Sequence, residues 1–227
     1  MKKNTIMIFA RAPVPGEVKT RLAMKIGAVA AAQFYRAMLG DTLNMATRAA
    51  QSAGNCEVIL AFTPDDAFAP HEHSLSEIWD GERMAQRGDD LGARMLNAMN
   101  NARKCGTEHI VIIGSDAPDL PPDLLVQSLH DLAFCDVVFG PAHDGGFYLI
   151  GASRALPQAI FAGLAWSSAQ TLNSTLANVR KLGLEFQLLT SWADIDSSKD
   201  LIALRERLDS GISKAPETAK FLREKSL

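Results

Sequence analysis

Short apolar runs and amphipathic stretches alternate along most of this chain. Thr5 to Ala10 reads TIMIFA, apolar without polar alternation, and stops at Arg-Ala-Pro-Val-Pro-Gly. That pattern predicts a strand buried on both faces. From Ala28 to Ala50, Tyr35, Met38, Leu39, Thr42, Met45, Ala46 and Ala49 recur at helical spacing, and Gly54-Asn55 ends the helix. Glu57 to Phe62 predicts a second strand, closed by Thr63-Pro64-Asp65, and Asp66 to Ser76 reads as loop. Asp89-Asp90 can cap a helix that runs to Lys104, with Leu91, Met95, Ala98 and Ala102 on one face. Glu108 to Gly114 is the clearest strand, and Pro121-Pro122 suits the first turn of a helix. Cys135 to Phe139 and Phe147 to Ile150 read as strands, Thr171 to Lys181 as helix, Glu185 to Leu189 as strand and Lys199 to Leu208 as helix. The charged tail beyond is a helix or a frayed end.

Strands alternating with helices predict an α/β fold: a Rossmann-like three-layer αβα sandwich around a mainly parallel sheet. No linker, internal repeat or low-complexity segment interrupts residues 1–227, which read as a single domain. In such sheets ligands sit beyond the carboxyl ends of the strands. The loops that follow the strands are therefore where chemistry is expected.

Charge sharpens this picture. The net charge of −3 over 227 residues gives no global nucleic-acid footprint, so an anionic substrate needs a local basic patch. The three cysteines, Cys56, Cys105 and Cys135, form no CxxC pair and read as reduced thiols of a cytosolic protein. The apolar run Ile6 to Ala10 is too short for a signal peptide, and no stretch is long enough to span a bilayer. A cytoplasmic protein without a membrane or nucleic-acid partner is the expectation.

The first such loop, RAPVPGEVKTRL, carries Arg11, Lys19 and Arg21 against one acid, Glu17. Prolines stiffen it, Gly16 lets backbone approach a ligand, and a short helix after Gly16 would point free N–H groups at an anion. It reads as a phosphate cradle or as a basic surface loop. It is not a P-loop, because Glu17-Val18 rather than Gly precede Lys19-Thr20, and GxGxxG is absent.

Three acidic loops follow. Asp116, at the tip of the strand ending in Gly114-Ser115, can hold Mg²⁺ or Mn²⁺ against phosphate oxygens or cap the next turn, and Asp119 reads as a cap for Pro121-Pro122. Asp144, before Gly145-Gly146, can be a metal ligand, a base that orients an acceptor, or an Asp-Gly turn residue. In ADIDSSKD, Asp194 and Asp196 can point the same way, and Asp196 reads first as the cap of the last helix, with Asp200 in its first turn. Asp89, Asp90 and Arg94 of GDDLGARM stand beside the nucleotide or form a capped surface helix. His71-Glu72-His73 reads as solvated, and His143 neighbours Asp144.

Taken together, FARAPVPGEVKTRL, GDDLGARM, GSDAPDLP, GPAHDGGFYLIG and the WS-x3-TL element from Trp166 to Leu172 resemble an uncharacterised bacterial family (DUF2064-like) of the A-type glycosyltransferase and nucleotidyltransferase superfamily. More distant relatives are the 2-phospho-L-lactate guanylyltransferases and the molybdenum-cofactor guanylyl- and cytidylyltransferases. The resemblance covers residues 4 to 208. It implies a sheet of the nucleotide-diphospho-sugar transferase type with the nucleotide over the first loop. It implies Arg11, Gly16, Lys19 and Arg21 for phosphate or base contacts; with Ala10, Thr20, Asp89 and Arg94 these make the expected nucleotide-binding set, and Asp144 and Lys19 are the expected catalytic residues. It places Mg²⁺ or Mn²⁺ at Asp116, and at Asp196 through the likeness of DIDSSKDL to a DxDTPEDL ending. The implied partners are a nucleoside triphosphate or a nucleotide-diphosphate sugar and a small-molecule acceptor. A homodimer is compatible with this reading. A nucleotidyltransferase is expected first, a glycosyltransferase second and a non-catalytic nucleotide-binding protein last.

Overall fold

The computed structural model describes residues 3–225. Among these residues seven strands form one sheet in the order β3-β2-β1-β4-β6-β5-β7. They are β1 (Lys3–Arg11), β2 (Cys56–Thr63), β3 (Arg83–Ala85), β4 (Thr107–Gly114), β5 (Val137–Pro141), β6 (Phe147–Ala152) and β7 (Phe186–Leu188). Only β6 runs against its neighbours, pairing antiparallel with β4 and β5, so the sheet is mainly parallel as expected.

The apolar runs are buried on both faces because alternate residues serve opposite layers. Ile6 and Ile8 of β1 and Val111 and Ile113 of β4 join one core with Leu39, Leu43 and Ala46 of α2 (Ala28–Ala53) and Leu125 and Leu129 of α4 (Pro122–Asp131). Met7, Ile110 and Ile112 point the other way, against Met95 and Met99 of α3 (Leu91–Lys104) and Leu176 and Val179 of α5 (Thr171–Lys181). The result is three layers. Among the described residues no helix is long and apolar enough to cross a membrane.

Several expectations are corrected. Strand β5 starts at Val137, two residues past Cys135, whose thiol instead donates to Asp131 O at 3.3 Å and Val137 O at 3.4 Å. Of the two readings open for the tail beyond α6 (Ser198–Asp209), helix or frayed end, the structure has the helix. The tail forms α7 (Pro216–Lys225), whose first free N–H groups, those of Glu217 and Thr218, donate to the Asp41 carboxylate of α2 at 3.1 and 2.8 Å. Asp196 does not cap α6. Ser197 does, in a reciprocal capping box with Asp200, because its hydroxyl stands one residue nearer the helix. Asp119 does not cap α4 either. Its side chain is fully buried and accepts from Arg207 Nε at 2.8 Å and Trp192 Nε1 at 3.2 Å.

Candidate active site

Strands β1 and β4 are neighbours, and the chain leaves them toward opposite edges of the sheet. Such a switch point opens a crevice at the carboxyl ends of the strands. The loop after β1 brings Lys19 there, and the loop after β4 brings Asp116. Lys19 is the N-cap of the short helix α1 (Thr20–Ile26) and adopts the left-handed region, φ 47°. A non-glycine residue is strained in that region, and such strain often marks a functional site.

The Lys19 side chain is only 3% exposed. Its Nζ donates to Asp116 Oδ1 at 2.7 Å, Asp196 Oδ1 at 2.8 Å and Ile195 O at 2.5 Å. All three ammonium donors thus have partners. Burial works against the charged form, but the carboxylates of Asp116 and Asp196 outweigh it and hold the Lys19 pKa above its usual value. The Asp196 segment is fixed to the Asp116 loop through Ile195 N–H, which donates to Asp116 O at 2.9 Å.

Two cavities meet at this pair of carboxylates. The first, about 280 Å³, is lined by Ala10, Arg11, Lys19, Tyr35 and Gln86 together with Asp116 and Asp196. Its frame is tied by Tyr35. The Arg11 N–H donates to the Tyr35 hydroxyl at 3.0 Å, and that hydroxyl hydrogen-bonds the Ser115 hydroxyl at 2.9 Å, joining the β1 and β4 loops. Gln86 donates to Ala10 O at 3.2 Å and Ala61 O at 2.9 Å, bracing the end of β1.

The second cavity, about 260 Å³, lies on the other side of Asp116 and Asp196 and adds Asp144, Asp194, Phe147 and Trp166. Asp144 Oδ1 accepts from Gly146 N at 2.8 Å, so the Asp-Gly turn reading and a place in the cavity hold together. Burial, then the charges of Asp144, Asp196 and Asp116, hold the Asp194 carboxyl above its usual range. Gly145, at φ +90°, packs against the backbone of Ala169 and accepts from Leu172 N at 3.0 Å. This contact locks the Asp144 turn to the segment carrying Trp166.

The structure thus gathers Ala10, Arg11, Lys19, Asp116, Asp144 and Asp196 around one crevice. Gly16, Thr20, Arg21, Asp89 and Arg94 line neither cavity. Arg21 is exposed on α1. Asp90 caps α3 through Ala93 N at 2.7 Å, and Arg94 Nε donates to Gly88 O at 3.0 Å, which makes that corner a braced helix start. His71 and His73 lie exposed in their loop or partly so. Tyr35 and Gln86 were not picked out as site residues by sequence reasoning. Their only sequence signals are a hydroxyl on the apolar face of α2 and an amide beside the strand-like MAQR run.

The fold is of the nucleotide-diphospho-sugar transferase type. A crystal structure from Desulfovibrio desulfuricans G20, named as a candidate transferase of that kind, is 34% identical and matches 100% of this chain and 96% of its own, with a TM-score of 0.87. The structure of CMP:2-keto-3-deoxy-manno-octonic acid synthetase complexed with CTP matches 92% of this chain and 100% of its own at 15% identity and TM-score 0.58. Rv0371C of Mycobacterium tuberculosis H37Rv, in a complex with manganese, matches 90% and 99% at 17% identity and TM-score 0.54. No curated protein matches the sequence. The profile of a family described as an uncharacterized protein conserved in bacteria (DUF2064) matches residues 44–168. The chain belongs to this family.

Proposed function

We propose that this protein is a metal-dependent transferase that binds an activated nucleotide in the Lys19 cavity and an acceptor in the Trp166 cavity. The first reading is nucleotidyl transfer. The observation that carries it is that Asp116 and Asp196 stand on the wall common to both cavities and are held there by Lys19 of the first. A group transferred between the two ligands must cross that wall.

In the proposed reaction an acceptor oxygen bonds to the α-phosphorus of a nucleoside triphosphate as the bond to the bridging oxygen breaks. Pyrophosphate leaves with that electron pair. A hydroxyl acceptor gives its proton to a carboxylate on the acceptor side, for which Asp144 is the candidate. Arg11 and Lys19 offer positive charge to the phosphates, and the Ala10 end of β1 forms the floor.

A divalent cation fits this donor set. Asp116 and Asp196 offer only hard oxygen ligands, and their side chains are 48% and 44% exposed at the junction. Among the described residues no three His, Cys, Asp or Glu side chains form a ready cage. Mg²⁺ characteristically binds through one or two carboxylates, substrate phosphates and water. Bound there, Mg²⁺ or Mn²⁺ would neutralise charge building on the leaving phosphates.

Glycosyl transfer from a nucleotide-diphosphate sugar is the second reading. The 34% identical relative, named for that chemistry, favours it. Incubation with each nucleoside triphosphate, or each nucleotide-diphosphate sugar, plus Mn²⁺ separates them. Pyrophosphate release supports the first, release of a nucleoside diphosphate the second, and neither product with any donor and acceptor argues against both.

A further inference from the structure

We propose that the Trp166 cavity selects an acceptor that is neutral or cationic, a polyhydroxyl or amino compound with one apolar face, and rejects acceptors that present a phosphate or carboxylate to it. This rests on the acceptor role given to that cavity above and names its substrate class.

Among the described residues the lining carries Asp116, Asp144, Asp194 and Asp196 and no Lys, Arg or His. The Lys19 ammonium, which bonds two of these carboxylates, is fully engaged with Asp116, Asp196 and Ile195 O, and Lys19 lines the other cavity. Lys19 offsets one of these four carboxylates, and the lining itself supplies no positive side chain to offset the others. Like charges in close contact repel at the effective dielectric of a protein surface. An anionic acceptor would meet that repulsion with no basic side chain to offset it. Hydroxyl and ammonium groups are instead donors, and carboxylates are acceptors only.

The opposite wall is aromatic. Trp166 stands 5.5 Å from Phe161 and 6.4 Å from Phe147, centroid to centroid, and it is partly exposed toward the cavity. Gly92 is what lets the indole sit there, since a Cβ at that position would lie 3.0 Å from Trp166 and 2.9 Å from Phe161. An indole face suits the C–H face of a polyol, and a cation placed over it is attracted by the ring quadrupole. Phosphate recognition normally uses Arg, Lys or free backbone N–H groups, and the basic residues of this crevice lie on the nucleotide side.

The test is saturation-transfer NMR on the full chain with matched probes: glycerol, 2-amino-1,3-propanediol and glycerol 3-phosphate, then glucose, glucosamine and glucose 6-phosphate. The neutral and amino probes should give signals that fall at least threefold in Trp166→Ala, and the amino probes should also weaken in Asp194→Asn. The phosphates should give no Trp166-dependent signal. Trp166-dependent binding of the phosphates, or no Trp166-dependent signal from any probe, overturns the proposal. Mn²⁺-nucleotide stabilisation measured on the same samples reads the transferase function separately. Its absence beside a correct sorting of probes would remove the donor reading and leave the charge preference standing.

Discussion

The Lys19 ammonium stands 2.7 Å from Asp116 Oδ1, joining a residue of the first loop to one that follows the fourth strand, almost a hundred positions later. The same nitrogen holds Asp196 at 2.8 Å. One buried positive charge therefore fixes the spacing of two carboxylates at the meeting of two cavities. Removing it has consequences for both stability and metal affinity.

Lys19→Met leaves two carboxylates facing each other without a counter-charge. Breaking a fully buried pair costs about 3–5 kcal/mol. Solvent screens these half-exposed acids, which lowers the expectation to about 1–3 kcal/mol. For a domain of this size the melting temperature should fall by about 3–10 °C in chelator. Mn²⁺ should restore part of that loss, because the freed carboxylates then bind the ion more tightly than in the wild type. Differential scanning fluorimetry with and without Mn²⁺ checks this, and a Lys19→Met protein indifferent to the ion would count against Asp116 and Asp196 as its ligands.

Gly145→Ala should be more damaging than its size suggests. The residue has φ +90°, and an added Cβ would come within 2.2 Å of Ala169 O. Strain at such a backbone position costs about 1–3 kcal/mol, and the overlap must also be relieved by moving the Trp166 segment. Urea denaturation should show the loss, and Trp166-dependent probe signals should weaken with it.

Tyr35→Phe removes the hydroxyl that joins Arg11 N–H to Ser115. A buried donor left without a partner costs about 1–3 kcal/mol. Nucleotide affinity should fall severalfold while the sheet stays intact, which isothermal titration and circular dichroism can separate. Unchanged affinity would show that this tie does not shape the nucleotide cavity.

Tyr148 gives a pH signature. Burial raises its phenol from 10.0 to about 12, and its hydroxyl donates to Thr190 O at 2.9 Å. A raised native value means a contribution fully present below 10.0 and lost as pH rises through about 12. Stability of the wild type should decline more steeply across that alkaline window than stability of Tyr148→Phe. Parallel curves would place the phenol in a less buried setting.

The fold was legible because its signals are local. The double-sided apolar runs of β1 and β4 and the helical spacing of α2 and α3 each sit within a short window. The antiparallel direction of β6 was not legible, since a strand buried on both faces looks the same in either direction. Asp119 and Asp196 were misread for a related reason. Both stand just before helices and look like caps, but their partners lie far away in sequence: Arg207 and Trp192 for one, Lys19 for the other. The helix α7 was left open because the residue that caps it, Asp41, is 176 positions from Glu217. Lys19 and Asp116 stand out in the sequence because each lies in a loop that follows a strand of the parallel sheet. Tyr35 and Gln86 escaped because their polar ends turn into the site from elements that read as scaffold.

The most direct measurement is calorimetric titration of nucleoside triphosphates and nucleotide-diphosphate sugars, with and without Mn²⁺, into the wild type and into Asp116→Ala. The account predicts that at least one nucleotide binds the wild type in a Mn²⁺-dependent manner and that the substitution weakens this by tenfold or more. Binding that ignores both the ion and Asp116, or no binding by any nucleotide in the set, would contradict it.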